Sequence, residues 1–156
     1  MIYVDLEPVF QAERDWDRAL QKLSDGVRRG VEKAVKEGAA EAKATHKYQD
    51  QTGYLTSRIV GYIETSAPGG ATGVIAALAD YASFVEGGTS PHPIHARNAP
   101  YLVFKGRDGT WVRTKMVNHP GHPAFPFMGP ALQKAERVLV RELEVGIAEM
   151  QRALDA

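Results

Sequence analysis

The chain has 156 residues, 19 Lys and Arg against 19 Asp and Glu, and no cysteine. That length suits one domain with a core of its own; the balanced charge argues against a globally basic nucleic-acid binder, and the missing cysteines exclude disulfides, thiolate nucleophiles and thiolate metal sites together. Residues 1–30 carry Asp5, Glu7, Glu13, Asp15 and Asp17 and no apolar run long enough for a signal peptide or a membrane span, which reads as a soluble product that stays where it is made.

Ile2, Tyr3 and Val4 form a short apolar start, read as an edge strand or an arm. From Phe10 onward, Trp16, Leu20, Leu23, Val27, Val31, Ala34 and Ala42 recur at intervals near three and four, which predicts an amphipathic helix over 10–46. Gly26, Gly30 and Gly38 interrupt it. Each costs roughly 1 kcal/mol against Ala in a helix interior, so their presence predicts close packing of another element, or a bend. The polar face is mixed, with basic residues dominating its second half, and reads as solvated surface.

The next predicted unit is a strand hairpin over 54–79. Tyr54, Leu55, Ile59, Val60, Tyr62 and Ile63 are β-prone. Their partner is Thr72 to Leu78, with Val74, Ala76 and Leu78 on one face and Gly73, Ile75 and Ala77 on the other, across a long flexible tip at Ser66 to Gly70. Residues 81–130 read as a connecting loop carrying a second hairpin. Paired glycines at Gly87-Gly88 demand a turn. Tyr101 to Lys105 and Thr110 to Met116 alternate on either side of Gly106-Arg107-Asp108-Gly109, a strong hairpin signal with no evident anchoring of its tip. The proline-rich run after His119 reads as an extended, shaped loop unable to donate regularly to a sheet. Leu132, Ala135, Leu139, Leu143, Ile147, Met150 and Leu154 predict a last helix over 131–154. The sum is a single domain, 1–156, of α+β class: a small, mostly antiparallel sheet flanked by a long N-terminal and a long C-terminal helix, with a projecting hairpin and Pro-rich loop insertion.

Candidate chemistry is sparse. His92, His95, His119 and His122 fall in one half of the chain in two His-x-x-His spacings, a pattern compatible with zinc. Flanking prolines and the lack of an obvious carboxylate behind them favour a loop-shaping role, and we expect the four rings not to converge on a metal. Ser57, Ser83 and Ser90 lack a Gly-x-Ser-x-Gly context. Glu86 is a single carboxylate and makes no acid-base pair, reading instead as a cap or a partner for Arg or Lys across a subunit boundary. No glycine cluster leads into Gly-Lys-Ser or Gly-Lys-Thr. The reading therefore assigns no catalytic, cofactor-binding or metal residue. Tyr101, Phe104, Lys105, Arg107, Trp111, Arg113 and Lys115 would suit a base-stacking, phosphate-binding ribbon; the favoured alternative is an arm whose apolar face meets a neighbouring subunit.

One set of motifs is more specific. Tyr81-Ala82, Val85-Glu86-Gly87-Gly88-Thr89, Pro91-His92-Pro93, a hairpin, His119-Pro120-Gly121, Pro126-Phe127-Met128 and Pro130-Ala131 follow one another, preceded by Thr52-Gly53-Tyr54-Leu55 with Ser57 and Ile59. In this order they resemble the tail-completion (head-tail joining, or neck) protein family of long-tailed bacteriophages, the earlier piece being similar to its Thr-Gly-x-Leu-x-x-Ser-Ile element. The resemblance spans about residues 50–132 by motif and the flanking helices by length and position. It implies a non-enzymatic virion protein, assembled in the host bacterial cytoplasm as a ring of identical subunits. The ring would lie between the head connector or adaptor and the tail tube or tail terminator, with DNA passing through it without specific recognition and with no membrane involved. Contact residues expected on this reading are Glu86, Thr89, Tyr101, Phe104, Trp111, Phe127 and Met128. Alternatives of other classes are a metal-dependent hydrolase using the histidines and a nucleic-acid-binding module using the basic half of the first helix.

Overall fold

The computed structural model describes residues 6–50, 52–67, 70–106 and 108–155. The start at Ile2 to Val4, Pro68-Gly69 of the first hairpin tip and Arg107 of the second lie outside them. The architecture is α+β, with a long N-terminal helix, antiparallel β-pairs and a long C-terminal helix. The chain divides into two compact units, residues 1–82 with 126–156, and residues 83–125.

In the first unit, α1 (Glu7–Thr45) and α4 (Met128–Leu154) lie against each other. Pro8 sits in the first turn of α1, where its missing N–H has no intrahelical partner to lose. The same tolerance explains why α4 starts at Met128, three residues before the predicted boundary: Pro130 occupies the first turn, where a proline is harmless. The three interrupting glycines mark close packing. A Cβ on Gly26 would meet Gly146 Cα at 2.9 Å, one on Gly30 would meet Glu142 Cβ at 3.1 Å, and one on Gly38 would meet Ala131 O at 2.9 Å and Ala135 Cβ at 3.0 Å. Their position thus exchanges helix propensity for a short interhelical distance. Arg29 with Glu149 at 2.5 Å, Lys33 with Glu142 at 2.7 Å and Lys134 with Glu37 at 3.4 Å run along the seam and fix its antiparallel register.

Strands β1 (Ile59–Ala67) and β2 (Gly70–Ala77) form an antiparallel hairpin with Gly61 opposite Ile75 and Ile63 opposite Gly73. Ser66, Ala67 and Gly70, expected in a flexible tip, are instead part of the ladder, Ser66 opposite Ala71 and Ala67 opposite Gly70. The face holding Gly73 and Ile75 is the one laid on α1. A Cβ on Gly61 would collide with the Val35 carbonyl, and one on Gly73 would fall 2.5 Å from Val35 Cγ1. The strand does not begin at Tyr54 as its composition suggests. Tyr54–Ser57 is a helical turn, α2, entered through Gly53 at φ 71°. Asp50 Oδ2 accepts the Thr56 N–H at 2.9 Å and Thr52 Oγ1 accepts that of Tyr54 at 3.2 Å, so side-chain capping overrides β propensity here. The core is apolar and of mostly small residues on α1, closed by Leu55, Ile59 and Phe127, each no more than 1% exposed.

The second unit opens on α3 (Ala82–Gly87) and holds two further antiparallel pairs. One pair is the predicted hairpin, β4 (Leu102–Lys105) with β5 (Trp111–Thr114). The other corrects the reading of this region as loop: β3 (His92–His95) pairs with β6 (Met116–His119). Proline does not break this ladder, for a geometric reason. The Ala96 N–H donates to Lys115 O at 3.0 Å, and stepping back by the two-residue period gives Ile94 and His92 the same orientation, which leaves Pro93, opposite Asn118, at an intervening position whose N–H would point away from β6. Past it, Thr89 and His122 form an isolated bridge, flanked by Gly88 at φ 71° and Gly121 at φ 76°. The Phe125 N–H donates to Val85 O at 2.9 Å. The proline-rich run is therefore tied by backbone bonds to α3 at Val85 and to Thr89 just after it.

Candidate interaction surface

The β4–β5 ladder has two unlike faces. Leu102, Phe104, Val112 and Thr114 are half-buried, whereas Val103, Lys105, Trp111 and Arg113 are exposed, Trp111 at 70% and Val103 at 62%. Register places Lys105 opposite Trp111 and Val103 opposite Arg113. The cations lie on the rings: Lys105 Nζ is 5.5 Å from the Trp111 ring centre and Arg113 Cζ is 4.0 Å from that of Tyr101. The tip, expected to have no anchoring, is bonded internally. Thr110 donates to Asp108 Oδ1 from its hydroxyl at 2.7 Å and from its N–H at 3.1 Å, and Gly106 N–H donates to Thr110 O at 2.8 Å. The hydroxyl bond and then the backbone bond hold the Asp108 carboxyl below its usual range.

Beside this ladder is an open apolar groove of about 800 Å³ whose lining includes Ile94, Leu102, Val103, Phe104, Val117 and His119. It is built jointly by the two β-pairs. Missing the β3–β6 pair therefore hid the groove from sequence; the matching His-Pro segments at 92–93 and 119–120 were the available signal. Charge is also partitioned. Residues 83–125 carry five Lys and Arg against Glu86 and Asp108, although the chain as a whole is neutral.

The expected contact residues separate into four groups. Tyr101, Phe104 and Trp111 share the β4–β5 region, Phe104 half-buried in the groove lining and Trp111 exposed on the face it shares with Val103. Thr89 closes the loop, exchanging backbone bonds with His122 at 3.0 and 3.1 Å and accepting the His122 N–H on its hydroxyl at 3.2 Å. Glu86 is half-buried on α3. Phe127 is 1% exposed in the first unit, edge-on to Tyr48 with ring centres 5.4 Å apart, and Met128 is half-buried at the start of α4. Phe127 is thus a core residue.

The histidines are placed by the ladders. His92 and His119 are register partners with ring centres 5.2 Å apart. His92 Nδ1 lies 2.8 Å from Ser90 O, His119 Nδ1 accepts the Gly121 N–H at 3.1 Å, and His122 Nδ1 lies 2.8 Å from Pro123 O. Among the described residues, no group of three or more His, Asp or Glu is placed to hold a metal ion.

A second exposed surface lies in the first unit and was not singled out in the sequence. From Glu7 to Arg18 no residue of α1 is buried, Ala19 being the first. Leu6, Val9, Phe10, Trp16 and Leu20 are between 48% and 61% exposed. At 100° per residue they fall within about 120° of the helix circumference, continuing the face that Val31, Ala34 and Val35 bury further along. The signal was in the lengths: α1 has 39 residues and α4 has 27. No helix among the described residues is long and apolar enough to cross a membrane. Comparison with protein-family models, with curated proteins and with solved structures yields no match for this chain.

Proposed function

We propose that this chain is a structural protein of the neck of long-tailed bacteriophages, repeated as a ring of identical subunits that completes the tail end and joins it to the head connector or adaptor. The motif order from Thr52 to Ala131 supports the family. The observation that carries the mechanical role is the exposed apolar and aromatic face of β4–β5 beside an open apolar groove, since exposed apolar surface of this extent marks a contact site. On this reading the protein works by contact and is not an enzyme; repeated heterologous contacts close a ring when the rotation between subunits closes. Tail tube or tail terminator is the partner on the other side, the site of action is the virion, and DNA crosses the ring without specific recognition.

Production of joined head-tail particles by a phage whose neck gene carries Trp111→Ala tests the role: joining is expected to fail while the protein still folds. Size-exclusion chromatography with light scattering, alone and with the connector protein, tests the partner. One observation favours a second reading, a nucleic-acid ribbon: two cations lie over two aromatic rings on one exposed face. A duplex-DNA mobility shift that weakens steeply with salt would favour it over the neck role.

A further inference from the structure

We infer that the exposed start of α1 in one copy docks into the apolar groove of residues 83–125 in the next copy, so that subunits join head to tail. The inference rests on the ring reading for its closure, but not for the contact itself. Both surfaces are apolar and lie open in the single chain: Leu6, Val9, Phe10, Trp16 and Leu20 on the helix, and Ile94, Leu102, Phe104 and Val117 in the groove. An amphipathic helix laid in an apolar groove is a common recognition mode.

Charge selects a second copy as the occupant. Glu13 and Asp17 point from within the apolar stripe by their helical phase, and neither makes an ion pair among the described residues; Arg14 and Arg18 are taken up by Glu7 and Asp15. On the other surface, Arg97, Lys105, Arg113 and Lys115 are exposed and make no ion pair among the described residues. Arg113 is the register partner of Val103 on the groove wall. Carboxylates without a cation partner inside an apolar stripe meet cations that lie on rings or in solvent, with no carboxylate partner, beside an apolar groove, a complementarity that sets orientation as well as attraction. The two surfaces differ, so the contact is heterologous and each copy keeps one of each surface for a further neighbour.

The absence of cysteine allows a direct test in the full-length chain. Val9→Cys and Asn118→Cys, both at exposed positions, are made in separate chains, mixed at millimolar concentration and treated with a short bis-maleimide. The expected product is a cross-linked dimer in the mixture well above that in either chain alone. Glu13→Lys with Asp17→Lys in the Val9→Cys chain should lower its yield about tenfold, and Lys105→Glu with Arg113→Glu in the partner chain should restore it. Equal yields in mixed and unmixed samples, no cross-link, or no rescue by the reciprocal charges overturn the docking. Oligomers seen by light scattering without the Val9–Asn118 link overturn the docking and leave the ring reading standing. The link together with open filaments of wild-type chain in electron micrographs supports the docking and removes the closed ring.

Discussion

Phe127 shows how a loop residue becomes a core residue: prolines on either side of the segment fix the backbone, and the ring drops against Tyr48. Burial raises the Tyr48 phenol above its usual range, with Thr56 partly opposing through its hydroxyl. Phe127→Ala is expected to cost roughly 3 to 5 kcal/mol in urea unfolding; a loss below about 1 kcal/mol would place the anchor elsewhere. Acid sensitivity is a separate matter, because no polar or charged residue is buried among those described. The Lys33 ammonium, by its hydrogen bond first, holds Glu142 below its ordinary value of 4.5. A folded-state value lower than the unfolded one contributes stability above the ordinary carboxylate value, and that contribution fades as the pH falls through the folded value. Glu142→Gln should therefore lower the urea midpoint at neutral pH and make the fall below the carboxylate range shallower than in the wild type.

At the scale of elements, the glycine seam between α1 and α4 makes an asymmetric prediction. A Cβ at Gly146 would lie 3.4 Å from Gly26 Cα, an ordinary contact, whereas one at Gly26 would lie 2.9 Å from Gly146 Cα, where backbone must move. Gly146→Ala should gain up to about 1 kcal/mol of helix propensity. Gly26→Ala should lose about 1 to 3 kcal/mol by overpacking despite the same gain. Thermal melting of the two variants reads the difference, and equal shifts would mean that the helices are not held at this distance. The seam was legible because glycine inside a periodic helix has few other uses. The β3–β6 pair was not legible: Pro93 looks prohibitive until its partner, and hence the direction of its missing N–H, is known. The turn at Tyr54–Ser57 was lost for the opposite reason, its β-prone side chains being overruled by Asp50 and Thr52 nearby in the chain. Trp111, expected as a contact residue from its setting in an alternating hairpin, is 70% exposed. Trp111→Ala should accordingly move the melting temperature little while abolishing head-tail joining; an equal loss of both would assign it to the folded core.

For the whole molecule, length predicted one domain and composition a neutral charge; the chain forms two compact units, and within the neutral total the excess of basic residues lies in 83–125. Periodicity gave the two helices to within a few residues, because long amphipathic patterns are redundant. Short strands of four residues carry too little pattern to declare their partners. The units should also differ in local stability. Amides in the paired stretches of α1 and α4 should exchange slowly, and those of β4 and β5, short and open on one face, much faster. Uniform exchange across both would contradict this. Finally, the free end of α1 acts as a ruler. From Glu7 to Arg18 it reaches about 18 Å at the helical rise. Removing four residues between Phe10 and Trp16 would shorten that reach by about 6 Å and turn the leading end by only about 40°, whereas removing two would turn it by about 200° and carry Leu6, Val9 and Phe10 to the opposite side. In the proposed head-to-tail ring, the first deletion yields a narrower circle in electron micrographs and the second yields none, so the diameter of the assembly is written in the phase and length of a single helix.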